Sequence, residues 1–371
     1  DWSSDVCSSD LRDDAFLDKG IIDLPDLITL GNWLERQVAC SGGADQHSKD
    51  VQQTIRAICE AGRILAGIIA SGDMGSARET VLSTNEDGDV QKPLDIKAND
   101  LIIELLKEQP VAWLASEELA QIHEMNSNGT LAVAMDPLDG SSNVDTNLSL
   151  GTIFSIYDAT LLGRDAVLQT GRQQLAAGYI VYGPQTTLTL TLGNGTHIFT
   201  LDRARRHFFL TSGNIQIPQE TSEFAINASN FRFWDANVRN YVEDCMDGET
   251  GIRGRDFNMR WLASLVAECH RILSRGGIFL YPADARPGYG NGRLRLVYEA
   301  NAIAWLIEQA GGSASTGTAP ILDVQPKSIH ERVSLVFGSS DEVELVENYC
   351  NGTVIAERQS PLFAKRGLFM H

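Results

Sequence analysis

Patterned cysteine is what this 371-residue sequence most clearly lacks. It has six cysteines, no Cys-x-x-Cys pair and no His-linked zinc spacing. That excludes a disulfide-stapled secreted scaffold and a structural zinc module, and it predicts a reducing, cytoplasmic setting. Histidine is scarce too, at seven, so a metal site here would rest on oxygen ligands. No apolar run approaches the roughly 20 residues of a membrane span, and no membrane partner is expected. Basic residues are in the minority: 30 Lys+Arg stand against 49 Asp+Glu, a formal charge of −19. Such a chain lacks the basic face that nucleic acid demands. Hydrophobic residues at 43% and charged residues at 21% describe a folded chain, not a disordered one. Its length suggests about two domains with full cores.

The first eleven residues, Asp1 to Leu11 (DWSSDVCSSDL), resemble the translation of a sequencing-adaptor read-through. The run is polar and aperiodic, and it is set aside as non-native. Cys7 goes with it, leaving Cys40, Cys59, Cys245, Cys269 and Cys350.

Val51, Ile55, Ile58, Leu65 and Ile69 fall at steps of three and four, which predicts an amphipathic helix. A second helix is expected over Asp100–Gln109, capped by Asn99 and stopped by Pro110. Val111–Ser116 and Thr130–Met135 read as buried strands. Between Ala177 and Leu210, β-rich runs alternate with turn signals at Gly183-Pro184 and Gly193-Asn194-Gly195, an antiparallel meander. Farther on, strands are expected at Phe224–Asn227, Ile278–Tyr281 and Val333–Phe337. Helices are expected at Arg260–Ser274 and Leu296–Ala310, and a Ser339/Glu342 capping box should open the last one. Helix and strand mix throughout, so the expected fold is an α/β (α+β) layered sandwich, with alternating helix and mixed-sheet layers. The expected division is an N-terminal domain over 12–215, a C-terminal domain over 216–350 and a tail over 351–371.

Acidic residues concentrate where strands end. The run Met135–Asp145 (MDPLDGSSNVD) carries Asp136 at a strand's end; Pro137 should then stop the pairing, with Asp139 three residues on. Gly140, Ser141 and Ser142 follow, small residues that let backbone N–H groups approach an anion. A plain β-turn explains Asp-Pro-x-Asp equally well, but not the whole run. Glu117-Glu118 closes the Val111–Ser116 strand, Asp89 and Asp95 flank the loop Gly88–Leu94, and Glu299 follows Leu296-Val297-Tyr298. If these acids converge, cations must neutralise them. Carboxylate-rich sites with few histidines select Mg²⁺ or Mn²⁺, which serve in-line displacement at phosphorus.

DPLDGSSNVD, the preceding SEE, GTIFSIYD (Gly151–Asp158), AAGYIVYG (Ala176–Gly183), GGIFLYPA (Gly276–Ala283) and LRLVYEANAIAWLIEQAGG resemble class I fructose-1,6-bisphosphatase. The resemblance runs from about Asp26 to Val346. It implies two sugar-phosphatase subdomains and metal-dependent hydrolysis of fructose 1,6-bisphosphate, in gluconeogenesis or the Calvin cycle. It also implies two or three cations per subunit and a homotetramer. Hydrolysis of sedoheptulose 1,7-bisphosphate as well, as in some bacterial relatives, stays open, and so does a non-catalytic sugar-phosphate sensor. By resemblance, Glu117, Asp136, Asp139 and Glu299 bind metal through carboxylates and Leu138 through its carbonyl. Asp95 and Glu118 activate the attacking water. Asp89 belongs to a loop that closes over the metals. Asp139, Gly140, Ser141 and Ser142 hold the 1-phosphate side. Asn227, Arg260, Tyr281 and Arg293 surround the sugar and the 6-phosphate, with Arg260 reaching into a neighbouring subunit's site.

Some positions depart from the family pattern. Trp261 and Asn230 stand where Tyr is common, and Arg293 where Lys is common. Thr130-Leu131 replaces the Lys-Tyr pair that binds AMP in the animal enzymes, so AMP inhibition of that type is not expected.

Overall fold

The structure is a computed structural model that describes residues 27–40, 46–72, 83–84 and 90–353. The adaptor-like segment, Asp89 and most of the tail lie outside the described residues. Seven α-helices are named here: α1 (Leu30–Cys40), α2 (Gln46–Ser71), α3 (Pro93–Leu106), α4 (Ala236–Met246), α5 (Leu265–Arg275), α6 (Asn301–Gln309) and α7 (Ser340–Cys350). Eight strands build the larger sheet: β1 (Val111–Ser116), β2 (His123–Glu124), β3 (Leu131–Asp139), β4 (Leu150–Asp158), β5 (Gln174–Tyr182), β6 (Thr186–Thr191), β7 (Thr196–Asp202) and β8 (His207–Ser212). Their order is β8-β7-β6-β5-β4-β3-β1-β2. β1 and β3 run parallel and every other neighbouring pair is antiparallel. The second sheet holds β9 (Glu223–Ile226), β10 (Asn258–Met259), β11 (Ile278–Tyr281), β12 (Ser313–Ser315) and β13 (Leu335–Gly338), in the order β10-β9-β11-β13-β12.

Period-two alternation within the strands explains why these sheets stack. In β5, Ala176 and Ile180 face one core with α1, α2 and α3. Ala177, Tyr179 and Val181 face the opposite core with α5 and α6. In the second sheet, Phe279, Leu335 and Phe337 join that middle core. Ile278, Leu280 and Val336 turn away to a third core with α4 and α7. The result is five layers, helix–sheet–helix–sheet–helix, as the mixed pattern predicted.

Several local expectations are corrected. α3 starts seven residues before Asp100, because Pro93 fits the first helical turn, where its missing N–H is not needed. Asn99 is therefore mid-helix and buried, accepting a hydrogen bond from Ser116 Oγ at 2.8 Å. Pro137 does not end its strand. β3 bulges between Asp136 and Asp139, and pairing resumes at Asp139 opposite Gly151. α5 begins at Leu265, capped by Ser264, whose hydroxyl accepts from Ala267 N. Leu296–Ala300 is a π-turn preceding α6. Ser339 and Glu342 form no capping box. Ser339 Oγ accepts instead from Gly277 N at 3.4 Å.

Glu342 is drawn away by stronger partners. Its buried carboxylate accepts from Tyr241 Oη at 2.9 Å, Arg253 Nη2 at 2.5 Å and Arg255 Nη2 at 2.7 Å. This network ties α7 to α4 and to the segment leading into β10. Glu342→Ala should leave Arg253 buried and uncompensated, and it should lower unfolding free energy by about 3 kcal/mol in urea titration. A loss below about 0.5 kcal/mol, the usual surface effect, would show the network to be incidental.

Candidate active site

The bulge in β3 aims two carboxylates at one point. Asp136 Oδ1 accepts from Leu138 N at 2.9 Å, which curls the chain over Pro137. Asp139 Oδ2 accepts from Val266 N, in the first turn of α5, at 3.3 Å. That approach needs Gly151: a Cβ there would lie 2.5 Å from Val266 Cγ2. The π-turn before α6 brings up the third acid, since Glu299 accepts from the backbone N of Arg295. π-turns of this kind recur at functional sites. One ligand oxygen from each of Asp136, Asp139 and Glu299 lies within 4.8 Å of the others, and all three residues are buried. Glu117 joins them from the end of β1, where its N–H donates to Met135 O at 3.1 Å. Leu138 is buried in the same bulge.

The electrostatics are severe. Burial, then the nearby Glu117, Asp139 and Glu299, hold the Asp136 carboxyl well above its usual range. Burial, then Glu117 and Asp139, do the same to Glu299. Asp139 is pushed up to about 7, chiefly by burial, with Val266 N–H working against the shift. Asp95 is raised to about 6, again mainly by burial. Its Oδ2 accepts from Lys92 N at 2.7 Å, while Oδ1 is a buried atom without a hydrogen-bond partner among the described residues. Carboxylates this crowded, which hold their protons unless a cation replaces them, fit a divalent metal centre.

The other expected residues are placed as follows. Glu118 is half-buried after Ser116, whose Oγ accepts its N–H at 3.3 Å. Gly140 takes a left-handed φ of 76° and opens the 3₁₀ turn Ser141–Thr146, with Ser141 half-buried and Ser142 exposed. Asn227 and Tyr281 line a separate small pocket with Asn230, Trp234 and Asp284. Arg293 is exposed, and its charge is felt at Asp284. Arg260 is also exposed, with Nε 3.5 Å from Glu223 Oε1. Its backbone N–H donates to Phe224 O at 2.7 Å. Trp261 stacks on Phe279, rings 5.8 Å apart and 10° from parallel.

Sequence reasoning missed Arg295. It is 3% exposed, with Nε 3.5 Å from Glu117 Oε1, making it a cation built into the acidic cluster. The signal was available: a charged residue inside the apolar run Leu294–Tyr298, four positions before Glu299.

The model of the fructose-1-6-bisphosphatase N-terminal domain matches residues 33–213, and that of the C-terminal domain matches 217–351. The chain belongs to the fructose-1,6-bisphosphatase family. It is 51% identical to a class 1 fructose-1,6-bisphosphatase of Rhodopseudomonas palustris, over 88% of this chain and 95% of the relative. It is 49% identical to one from Nitrobacter hamburgensis, over 91% and 98%. The solved fructose-1,6-bisphosphatase of Leishmania major superposes with a TM-score of 0.80 at 31% identity, covering 88% of this chain and all of that one.

A pH dependence follows from the raised carboxyls. Their folded-state pKa values exceed the unfolded value near 4, so the folded metal-free chain binds more protons than the unfolded one. Its stability should therefore fall as pH rises from about 4 to about 7. The melting-temperature gain on adding Mn²⁺ should be larger at pH 8 than at pH 5.5. A gain that is flat or reversed across that range would contradict the assignment.

Proposed function

We propose that this chain hydrolyses the 1-phosphate of fructose 1,6-bisphosphate, giving fructose 6-phosphate and phosphate, with Mg²⁺ or Mn²⁺ as cofactor. The observation that carries the reading is the convergence of Asp136, Asp139 and Glu299 within 4.8 Å in a member of this family. Glu117, Asp136, Asp139, Glu299 and the Leu138 carbonyl would hold two or three cations. When bound, the cations supply charge stabilisation at the phosphoryl oxygens and lower the pKa of a nearby water. Asp95, with its unpartnered Oδ1, would orient the attacking water and take its proton, with Glu118 assisting. Ser141, Ser142 and the Gly140 turn would hold the 1-phosphate side, and Asp89 would belong to the closing loop. Asn227, Tyr281 and Arg293 would fix the sugar and its distal phosphate, which holds the reacting phosphate in place.

Arg260 would complete the pocket of a neighbouring subunit in a homotetramer. Its exposure beside the exposed Met259 and Leu262 supports a subunit contact there. The division near residue 215 would separate the metal-binding half from the sugar-phosphate half. Cys59, Cys245, Cys269 and Cys350 are unpaired, which supports a cytoplasmic setting. No helix among the described residues is long and apolar enough to cross a membrane. At the position of the animal AMP site, Asp50 is buried and accepts from Thr130 Oγ1 at 2.7 Å and Gln46 Nε2 at 2.8 Å. A carboxylate so placed repels a nucleotide phosphate.

Phosphate release from fructose 1,6-bisphosphate should require Mg²⁺ or Mn²⁺ and vanish with chelator. Asp139→Asn should lower kcat by at least about a hundredfold, the scale of losing a catalytic electrostatic contact, with an unchanged circular dichroism spectrum. Chelator-resistant turnover, or an active Asp139→Asn variant, would refute the reading. Millimolar AMP should leave the rate within about twofold, since the Asp50 carboxylate repels a phosphate there; strong inhibition would show that the Asp50–Thr130 site has been misread.

A further inference from the structure

The segment between β11 and Arg293 folds around one aromatic ring. Tyr289 O accepts from Asp284 N at 3.1 Å and from Gly292 N at 3.0 Å, while Tyr289 N donates to Arg286 O at 3.1 Å. These three bonds fix the backbone that carries the ring. Two guanidinium groups meet that ring: Arg286 at 4.5 Å from its centroid and Arg293 at 5.5 Å.

The two arginines are not equivalent. Arg286 is held on another side by Phe233, at 5.0 Å, and by Asp284, whose Oδ1 and Oδ2 accept from Nε at 2.9 and 3.1 Å. The Asp284 carboxyl is held below its usual range, first by the Arg286 hydrogen bonds, with the charge of Arg293 adding to the effect. Arg286 is thus neutralised and confined. Arg293 stays exposed, and the pocket that holds Asn227 and Tyr281 has Asp284 in its wall. The wall is anchored: Ala285 N donates to Phe233 O at 3.0 Å, in the 3₁₀ turn that Asn227 caps.

We propose that Tyr289 is a positioning residue for Arg293, a ring platform that pre-orients the guanidinium plane for the substrate's distal phosphate. The inference rests on the reading that Arg293 binds that phosphate. An arginine side chain has many rotamers, and its planar fork recognises phosphate only when correctly turned. Stacking removes part of that freedom before the substrate arrives, so less is lost on binding. A lysine at the same position is a point charge and gains little from a platform.

The test is a double-mutant cycle on the full chain with Mg²⁺, reading KM, kcat and melting temperature. Tyr289→Leu should raise KM for fructose 1,6-bisphosphate about three- to fivefold, the size of an exposed cation–π contact, with kcat almost unchanged. Tyr289→Phe keeps the ring and should keep KM. In the Arg293→Lys background, Tyr289→Leu should change KM by less than about 1.5-fold, because the residues are coupled. An equal KM increase in both backgrounds, or a lowered melting temperature with no KM change, would show that Tyr289 only supports its loop. That would overturn the proposal. Arg293→Gln with an unaltered KM would overturn the distal-phosphate reading instead, and the proposal with it.

Discussion

Three buried acidic side chains forced together, with half-buried Glu117 beside them, are the constraint on which the rest of this structure depends. An uncompensated buried carboxylate costs several kcal/mol, and Asp136, Asp139 and Glu299 share one site. Only a large, well-packed frame can hold them there. The five layers supply it: β3 is buried along its whole length, with Leu131, Val133 and Met135 in the first core and Ala132 and Ala134 packed in one cluster with Val297 and Tyr298 of the π-turn. Three irregularities then aim the oxygens, namely the bulge at Pro137, the glycine at position 151 and the π-turn before α6. Each breaks a local rule at the place where the chemistry gathers.

Charge at the site is divided between what the chain brings and what it leaves for a ligand. Arg295 and the amide N–H groups of Leu138 and Val266 offset part of the carboxylate charge. The remaining deficit is written in the raised pKa values of Asp139 and Asp95. The C-terminal half carries exposed cations instead. There Arg260 stands exposed beside Glu223 and Arg293 exposed over Tyr289, while Arg286 is neutralised by Asp284. The net charge of −19 therefore describes the average surface, not the pocket. Beyond about 8 Å it is screened at physiological ionic strength.

Much of the frame was legible in the sequence. The strands at Val111–Ser116 and Ile278–Tyr281, the meander and the long helix at residues 51–69 follow from period and turn signals that act locally. Boundaries failed where tertiary partners outbid local chemistry. Asn99 reads as a cap but is taken by Ser116, and Glu342 reads as half of a capping box but is taken by Arg253 and Arg255. Pro137 reads as a strand end, but the bulge carries the ladder past it. In the site, the acids stood out because each ends a strand or an apolar run. Their convergence was not legible, since it depends on contacts as remote as Val266 to Asp139. Arg295 escaped notice because its role comes from the acids around it. The Tyr289 platform escaped because no single-residue pattern marks a ring shared by two guanidinium groups.

The central claim is that this cluster exists to be neutralised by divalent cations. The most direct measurement is the number of protons released when Mg²⁺ binds, taken by calorimetry at pH 6 in buffers of different ionisation enthalpy. With Asp139 raised to about 7 and Asp136 and Glu299 raised well above the usual range, part of the cluster is protonated at that pH. The account predicts release of at least about one proton per chain, and fewer protons in an Asp139→Asn variant, because ligands must deprotonate to bind. Saturable Mg²⁺ binding without proton release would contradict it.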